Sequence, residues 1–216
     1  MDTRMEIMEL ELPVGTGANK QLPDPYLINY YEQAENEQAE NRTIWLDTEL
    51  GESGVEIVKK IMRWNYEDKD MGLAPKDRKP IRVALMSPGG DIYAMLAILD
   101  AIMLSQTPVY TYVVGQAASA ACVLLLSGHK RYAFPHSHAM WHSGSAGMSG
   151  TMGQIQDVTK HLDIVEDQMS RFLLDKTHIT AKQLKKYKDR DWYFTADQML
   201  EYGMVDAIVE SLDEIL

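Results

Sequence analysis

Residues 109–128 read VYTYVVGQAASAACVLLLSG, and the fold follows from how that stretch divides. Val109–Val114 is apolar and rich in valine and tyrosine, as a buried strand requires. Gly115-Gln116-Ala117-Ala118 reads as a turn of small residues, and Ser119–Ser127 as an apolar helix with Gly128 for its C-terminal cap. The same order of strand, tight turn and helix recurs just upstream. Ile81–Met86 is β-like, Ser87-Pro88-Gly89-Gly90 is the turn, and Asp91 opens a helix where its charge favours the positive end of the dipole. Ile92, Met95, Leu96, Leu99, Ile102 and Met103 mark one buried face of that helix, and Thr107-Pro108 stops it. Alternation of this kind predicts an α/β fold, a mostly parallel sheet with helices against it.

Upstream of this pair of units, Thr43–Leu46 reads as a short strand. A helix follows near Val55–Trp64, with Val55, Val58, Ile61 and Met62 at helical spacing. The charged stretch Tyr66–Lys79, ended by Pro80, is expected to be a surface loop. Residues 1–42 mix Gly15, Gly17, Pro23 and Pro25 with a polar run in which AEN recurs at 34–36 and 39–41, the composition of an arm rather than of core. Downstream, His138–Trp141 is a short apolar segment leading to His142 and to a run containing Gly144, Gly147, Gly150 and Gly153. Ile155, Val158, Leu162, Val165, Met169 and Phe172 then alternate steps of three and four, a narrow stripe suited to a partner helix. Thr195 and Gln198 have capping-box spacing for a closing helix, and Met204–Val209 after Gly203 reads as a last strand.

With 216 residues and 45% hydrophobic content, the chain suits one compact domain, expected over 43–216 behind the arm. A formal net charge of -11 repels a phosphate backbone unless a basic face is segregated. The most basic window, Lys182–Arg190, sits beside Asp189 and Asp191 and reads as a solvated helix face, so no nucleic-acid partner is expected. The one cysteine, Cys122, excludes an internal disulfide. Met1–Pro13 carries Asp2, Glu6, Glu9 and Glu11 where a secretory signal needs a basic start and an apolar run. The cytoplasm is the expected compartment. Val113–Leu126 is too short to span a bilayer and is interrupted by Gly115, Gln116 and Ser119, so no membrane partner is expected either.

A serine hydroxyl is a poor nucleophile unless a base takes its proton, and the oxyanion formed by its attack needs donors already aimed at it. Ser119 stands where a strand and a small-residue turn meet the first turn of an apolar helix, with free N–H groups and the dipole favouring negative charge. Ala117, Ala118, Ala120 and Ala121 let a substrate approach the backbone. Read locally, an ordinary N-cap explains the same pattern and is the plainer reading. The Ser87-Pro88-Gly89-Gly90 turn can offer a second donor, although such turns are common punctuation. His136, His138 and His142 form an H-x-H-x-x-x-H cluster, but no further ligand motif completes a metal site, and no metal is expected. His142 differs from the other two, standing after an apolar segment and before a glycine-rich run, where a base can project into a cleft.

Ser-Pro-Gly-Gly at 87–90, Gly-Gln-Ala-Ala-Ser at 115–119, Met-Trp-His at 140–142, Arg-Asp at 190–191 and Tyr-Gly-Met-Val-Asp at 202–206 resemble the ordered motifs of the Clp protease proteolytic subunit. The likeness runs over about Ile81–Val209. It implies the spiral of βα units shared with the crotonase enzymes, with a protruding handle helix near 153–176. It implies that Ser119 attacks the peptide carbonyl, His142 accepts the proton and Asp191 orients the imidazole, while the N–H groups of Gly90 and Ala120 form the oxyanion hole. The choice of Asp191 comes from the resemblance alone. Gly89, Ser143, Gly144 and Ser145 would line the substrate, the glycine-rich run being an extended edge to which a peptide adds as a strand.

The resemblance further implies stacked seven-membered rings, a tetradecamer of like subunits enclosing a chamber. An AAA+ Clp unfoldase would dock on the outer face and feed in unfolded polypeptide. ATP is then consumed by that partner, and no cofactor belongs to this chain, which has nothing like a P-loop. The family's Met-Gly after the nucleophile is Ala120-Ala121 here, and its Gln-Pro after the base is Ser143-Gly144, differences that bear on substrate preference rather than reaction type. Three other readings are an inactive ring subunit, a crotonase-type acyl-CoA enzyme, whose thioester carbonyl the same two turns could bind, and a metalloenzyme built on the histidine cluster.

Overall fold

The computed structural model describes residues 40–52 and 54–214. The chain divides into the compact units 1–36 and 37–216, and the first, with nearly all of the expected arm, lies outside the described residues. In the second unit, β1 (Thr43–Leu46), β2 (Ile81–Ser87), β3 (Val109–Ala118), β4 (Lys130–Ala133) and β7 (Ala207–Ile208) lie side by side in that order, every pair parallel. β5 (His138–Trp141) joins β3 in parallel and pairs antiparallel with β6 (Trp192–Thr195). The parallel sheet with helices against it is the α/β architecture expected for the Clp fold.

β3 serves two neighbours in succession. Tyr110–Val113 pair with Lys130–Ala133, and Gln116–Ala118 pair with His138–Met140. The change of partner falls at Gly115, whose φ of 78° suits a residue without a β-carbon. The expected turn at 115–118 is therefore strand. Ala117 and Ala118 are small because they are fully buried beneath a paired ladder, and buried backbone groups need that ladder.

The helices are α1 (Gly54–Asp70), α2 (Ile92–Leu104), α3 (Ala120–Ser127), α4 (Met152–Lys176), α5 (Ala181–Lys186) and α6 (Ala196–Glu201). Every residue of α3 is buried, and Leu124, Leu125 and Leu126 join Leu85, Ile98, Ile102, Phe194 and Met199 in one core. Each such side chain contributes about 1.5–3 kcal/mol of transfer free energy. α4 opens on a full capping box between Thr151 and Gln154 and covers the expected handle. Of its stripe, Val165 is buried while Val158 lies exposed, so the C-terminal half packs on the core and the N-terminal half does not.

Three further expectations need correction. Tyr66–Asp70 is helical, because Trp64 and Asp68 sit one turn apart on the buried side of α1, and the helix ends at Asp70, two residues before Gly72 with φ 69°. Gly128 is the C-cap of α3, as expected, but in an extended conformation, φ -59° and ψ 146°, and not in the left-handed one. Its glycine is required by proximity, since a β-carbon there would come 2.3 Å from Thr111 Oγ1. The closing strand shrinks to Ala207–Ile208, because the Met204 and Val205 N–H groups turn back to the Met199 carbonyl and pairing with β4 begins only where Asp206 N–H donates to the Arg131 carbonyl. β4 and β6 were not foreseen, although Trp192–Thr195 alternates buried and exposed residues.

Asp68, 1% exposed, receives both terminal nitrogens of Arg42 at 2.8 and 2.7 Å and the Thr107 hydroxyl at 2.7 Å. Burial by itself raises the carboxyl pKa, but the Arg42 and Thr107 hydrogen bonds and the charges of Arg42 and Arg78 outweigh it, leaving the group below its ordinary 3.8. A depressed carboxyl contributes stability above its unfolded pKa and loses it as pH falls through the folded value. Asp68→Asn is expected to cost about 3–5 kcal/mol at neutral pH by stranding a buried guanidinium, and to flatten the decline of stability below about pH 4. Chemical denaturation at several pH values checks both, and parallel pH profiles for the two proteins would contradict the account.

Candidate active site

Ser119 joins β3 to α3 with φ 55° and ψ -122°, a region that crowds a β-carbon and costs of order 1–3 kcal/mol for a residue other than glycine. It occupies the N-cap position, yet its side chain makes no capping bond. The hydroxyl instead meets His142 Nε2 at 2.7 Å. The Ser119 N–H donates to the Met140 carbonyl at 2.8 Å, which ties the bend to β5. The local N-cap reading thus describes the place of the residue but not its bond. Nearby Cys122 is fully buried and its thiol is pushed up to about 12 by that burial, so no thiolate competes for the nucleophile's part.

His142 follows the last residue of β5, and Asp191 precedes the first residue of β6. The antiparallel register pairs Trp141 with Trp192, so the next step outward places 142 opposite 191. His142 Nδ1 and Asp191 Oδ1 are 3.9 Å apart, with side-chain exposures of 20% and 53%. That separation is within ion-pair range and beyond a hydrogen bond. Asp191 Oδ2 accepts a hydrogen bond from the Tyr193 hydroxyl at 3.4 Å.

The Ser87–Gly90 turn abuts the Ser119 bend. Leu50 N–H donates to the Gly89 carbonyl at 2.7 Å, and the Asp91 N–H donates to the Leu50 carbonyl at 2.9 Å. These two bonds flank Gly90 and leave its own N–H on the opposite side. Neither the Gly90 nor the Ala120 N–H meets an acceptor among the described residues. Gly89, with φ 99°, lies so close to the bend that a β-carbon on it would come 2.7 Å from the Ala118 carbonyl, 2.8 Å from Ser119 Cβ and 2.9 Å from the Ala120 nitrogen. Ser87 braces the turn by donating to the Thr48 carbonyl and accepting from Gly89 N–H. Leu50 and Ser87 were not foreseen as supports. Nothing local to Leu50 points to a turn so distant in sequence, whereas the serine opening the Pro-Gly-Gly turn was a readable signal.

Ser143, Gly144 and Ser145 begin an irregular segment that runs to α4. Its backbone from 143 to 150 makes no backbone hydrogen bond among the described residues, and a β-carbon on Gly144 or Gly147 would meet nothing within 4 Å. A row of free main-chain donors and acceptors thus leads away from His142. A hollow of about 220 Å³ lies on the other side, lined by Gly115, Gln116, His138, Ala139, Met140 and Tyr193. The structure does not gather His136, His138 and His142 at a common point: His142 is turned to Ser119, and no group of three or more His, Cys, Asp or Glu among the described residues could hold a metal ion. No helix among those residues is long and apolar enough to cross a membrane.

Compared with known proteins, residues 36–212 match the model of the Clp protease family. The chain is 33% identical over 173 residues to the ATP-dependent Clp protease proteolytic subunit 1 of Rhodopirellula baltica, covering 79% of this chain and 73% of that protein. It is 34% identical over 177 residues to the proteolytic subunit 1 of Streptomyces avermitilis, with 81% and 78% covered. It is also 34% identical over 196 residues to the proteolytic subunit 3 of Rhodococcus jostii, with 90% and 92% covered.

Proposed function

Because the chain belongs to the Clp protease family and is a serine-type peptidase, we propose that Ser119, His142 and Asp191 carry out its cleavage of peptide bonds. The observation that carries this reading is the 2.7 Å contact between His142 Nε2 and Ser119 Oγ. His142 takes the hydroxyl proton as Oγ bonds to the substrate carbonyl carbon, and the carbonyl electron pair moves onto oxygen. The unpaired N–H groups of Gly90 and Ala120 receive that oxyanion. His142 then gives its proton to the departing amine, and water activated by the same imidazole releases the acyl group. Asp191 balances the imidazolium charge, and closing its gap to Nδ1 by about 1 Å makes a full hydrogen bond.

Gly89, Ser143, Gly144 and Ser145 border the cleft, where the unpaired backbone of 143–150 takes up a peptide as an added strand. Recognition through main chain suits unfolded polypeptide of varied sequence. The relatives named above are subunits of an ATP-dependent protease, and this chain on the same pattern assembles as stacked heptameric rings. Met152, Val158 and Ile164, exposed on the outer part of α4, support a helix of another subunit packing there. An AAA+ unfoldase then consumes the ATP, the peptidase site works without cofactor or metal, and the compartment is the cytoplasm. An acyl-CoA enzyme or an inactive subunit would leave the Ser119–His142 contact without a task.

A fluorophosphonate probe is expected to attach to Ser119 and to react at least about 100-fold more slowly with His142→Ala, read by mass spectrometry of the labelled peptide. Attachment elsewhere, or an unchanged rate in the variant, removes the assignment.

A further inference from the structure

We propose that Tyr193 is a positioning residue for the peptidase reaction, holding Asp191 in the orientation from which it meets His142; this rests on the place of Asp191 in the triad. Side chains alternate along a strand, so Asp191 and Tyr193, two residues apart, project to one face. Tyr193 pairs with Met140, and the following positions of that face are His142 and Asp191. The Tyr193 hydroxyl donates to Asp191 Oδ2 at 3.4 Å, whereas Oδ1 is the atom turned to His142 Nδ1, 3.9 Å away. The two oxygens are divided between two partners. Shortening the contact to the imidazole therefore does not require the tyrosine bond to break.

The carboxylate needs such support. Asp191 is 53% exposed, and water competes for a side chain that exposed. Among the described residues Tyr193 is the one side chain that donates a hydrogen bond to it. A tyrosine has few rotatable bonds and so loses little freedom in fixing its neighbour. Its ring borders the hollow of about 220 Å³ beside Met140, Gln116 and His138, which leaves it room to follow the carboxylate as the gap to Nδ1 closes.

The test is a double-mutant cycle on the full-length protein, with kcat and KM for a peptide substrate measured for wild type, Tyr193→Phe, Asp191→Asn and the pair. Tyr193→Phe is expected to lower kcat about 3- to 30-fold with KM and thermal midpoint unchanged, and to change kcat less than about twofold once Asp191 is Asn. If Asp191→Asn collapses kcat but Tyr193→Phe leaves it within about twofold of wild type, the positioning role fails and the triad stands. An Asp191→Asn enzyme with wild-type kcat removes the triad assignment and this inference with it. Equal losses from Tyr193→Phe in both backgrounds, or a loss confined to KM, would show the ring acting on the fold or on substrate and would overturn the proposal.

Discussion

Ser119→Ala is expected to lower peptide hydrolysis by about 10⁴-fold or more while leaving stability within about 1 kcal/mol of wild type. The chemical half of that expectation follows from the 2.7 Å contact with His142 Nε2. With no hydroxyl to deprotonate, only the two amide donors and the binding of the peptide remain to favour the transition state. The stability half follows from the backbone. Alanine carries the same β-carbon into φ 55°, so the strain persists, and the Ser119 N–H bond to Met140 O is a main-chain bond that the substitution leaves in place. Initial rates with a fluorogenic peptide and thermal unfolding on the same samples check both halves. A variant that keeps more than about 1% of wild-type turnover means that another group is the nucleophile.

Gly89→Ala is expected to cost about 10³-fold or more in kcat/KM and, unlike Ser119→Ala, several kcal/mol of stability. Its added carbon would come 2.7, 2.8 and 2.9 Å from Ala118 O, Ser119 Cβ and Ala120 N. Two of those three atoms are backbone, so no flexible side chain can swing away to make room. The φ of 99° adds a further penalty for any residue with a β-carbon. Relief requires the two bends to separate, which carries the Gly90 and Ala120 N–H groups away from a common point. Oxyanion donors act only at close range, and losing one alone costs about 10²–10³-fold. Kinetics alongside chemical denaturation measure both quantities. Near-normal turnover would show that the two bends do not act together on one oxygen.

The parallel sheet and its first two βα units were legible because their signals are local: apolar runs, small-residue turns and helical spacing all fall within a few residues. Ser119 was legible as a position but not as a nucleophile. An N-cap and a strained bend share a sequence, and only φ, ψ and the bond to His142 separate them. Asp191 was not legible from the residues themselves, because its role is set by the pairing of β5 with β6, and a carboxylate beside a turn is ordinary in an acidic chain. The four residues read as a turn at 115–118 failed for a related reason. Alanine is small where chains bend and equally small where they are buried, and the choice was made by β5, a strand of only four residues. The extended α1 was missed because its charged surface residues hid Asp68, whose partners Arg42 and Thr107 lie far away along the chain.

The pairing of β5 with two different strands separates the machinery along a seam. Base and carboxylate leave from adjoining ends of one antiparallel ribbon, whereas the hydroxyl belongs to the strand on the other side, joined to the ribbon by the pairs Gln116–His138, Ala117–Ala139 and Ala118–Met140. A shear of about 1 Å along that short junction would stretch the 2.7 Å contact of alcohol and imidazole beyond hydrogen-bond range. Activity in such a molecule depends on the register of three residue pairs as well as on the three side chains themselves.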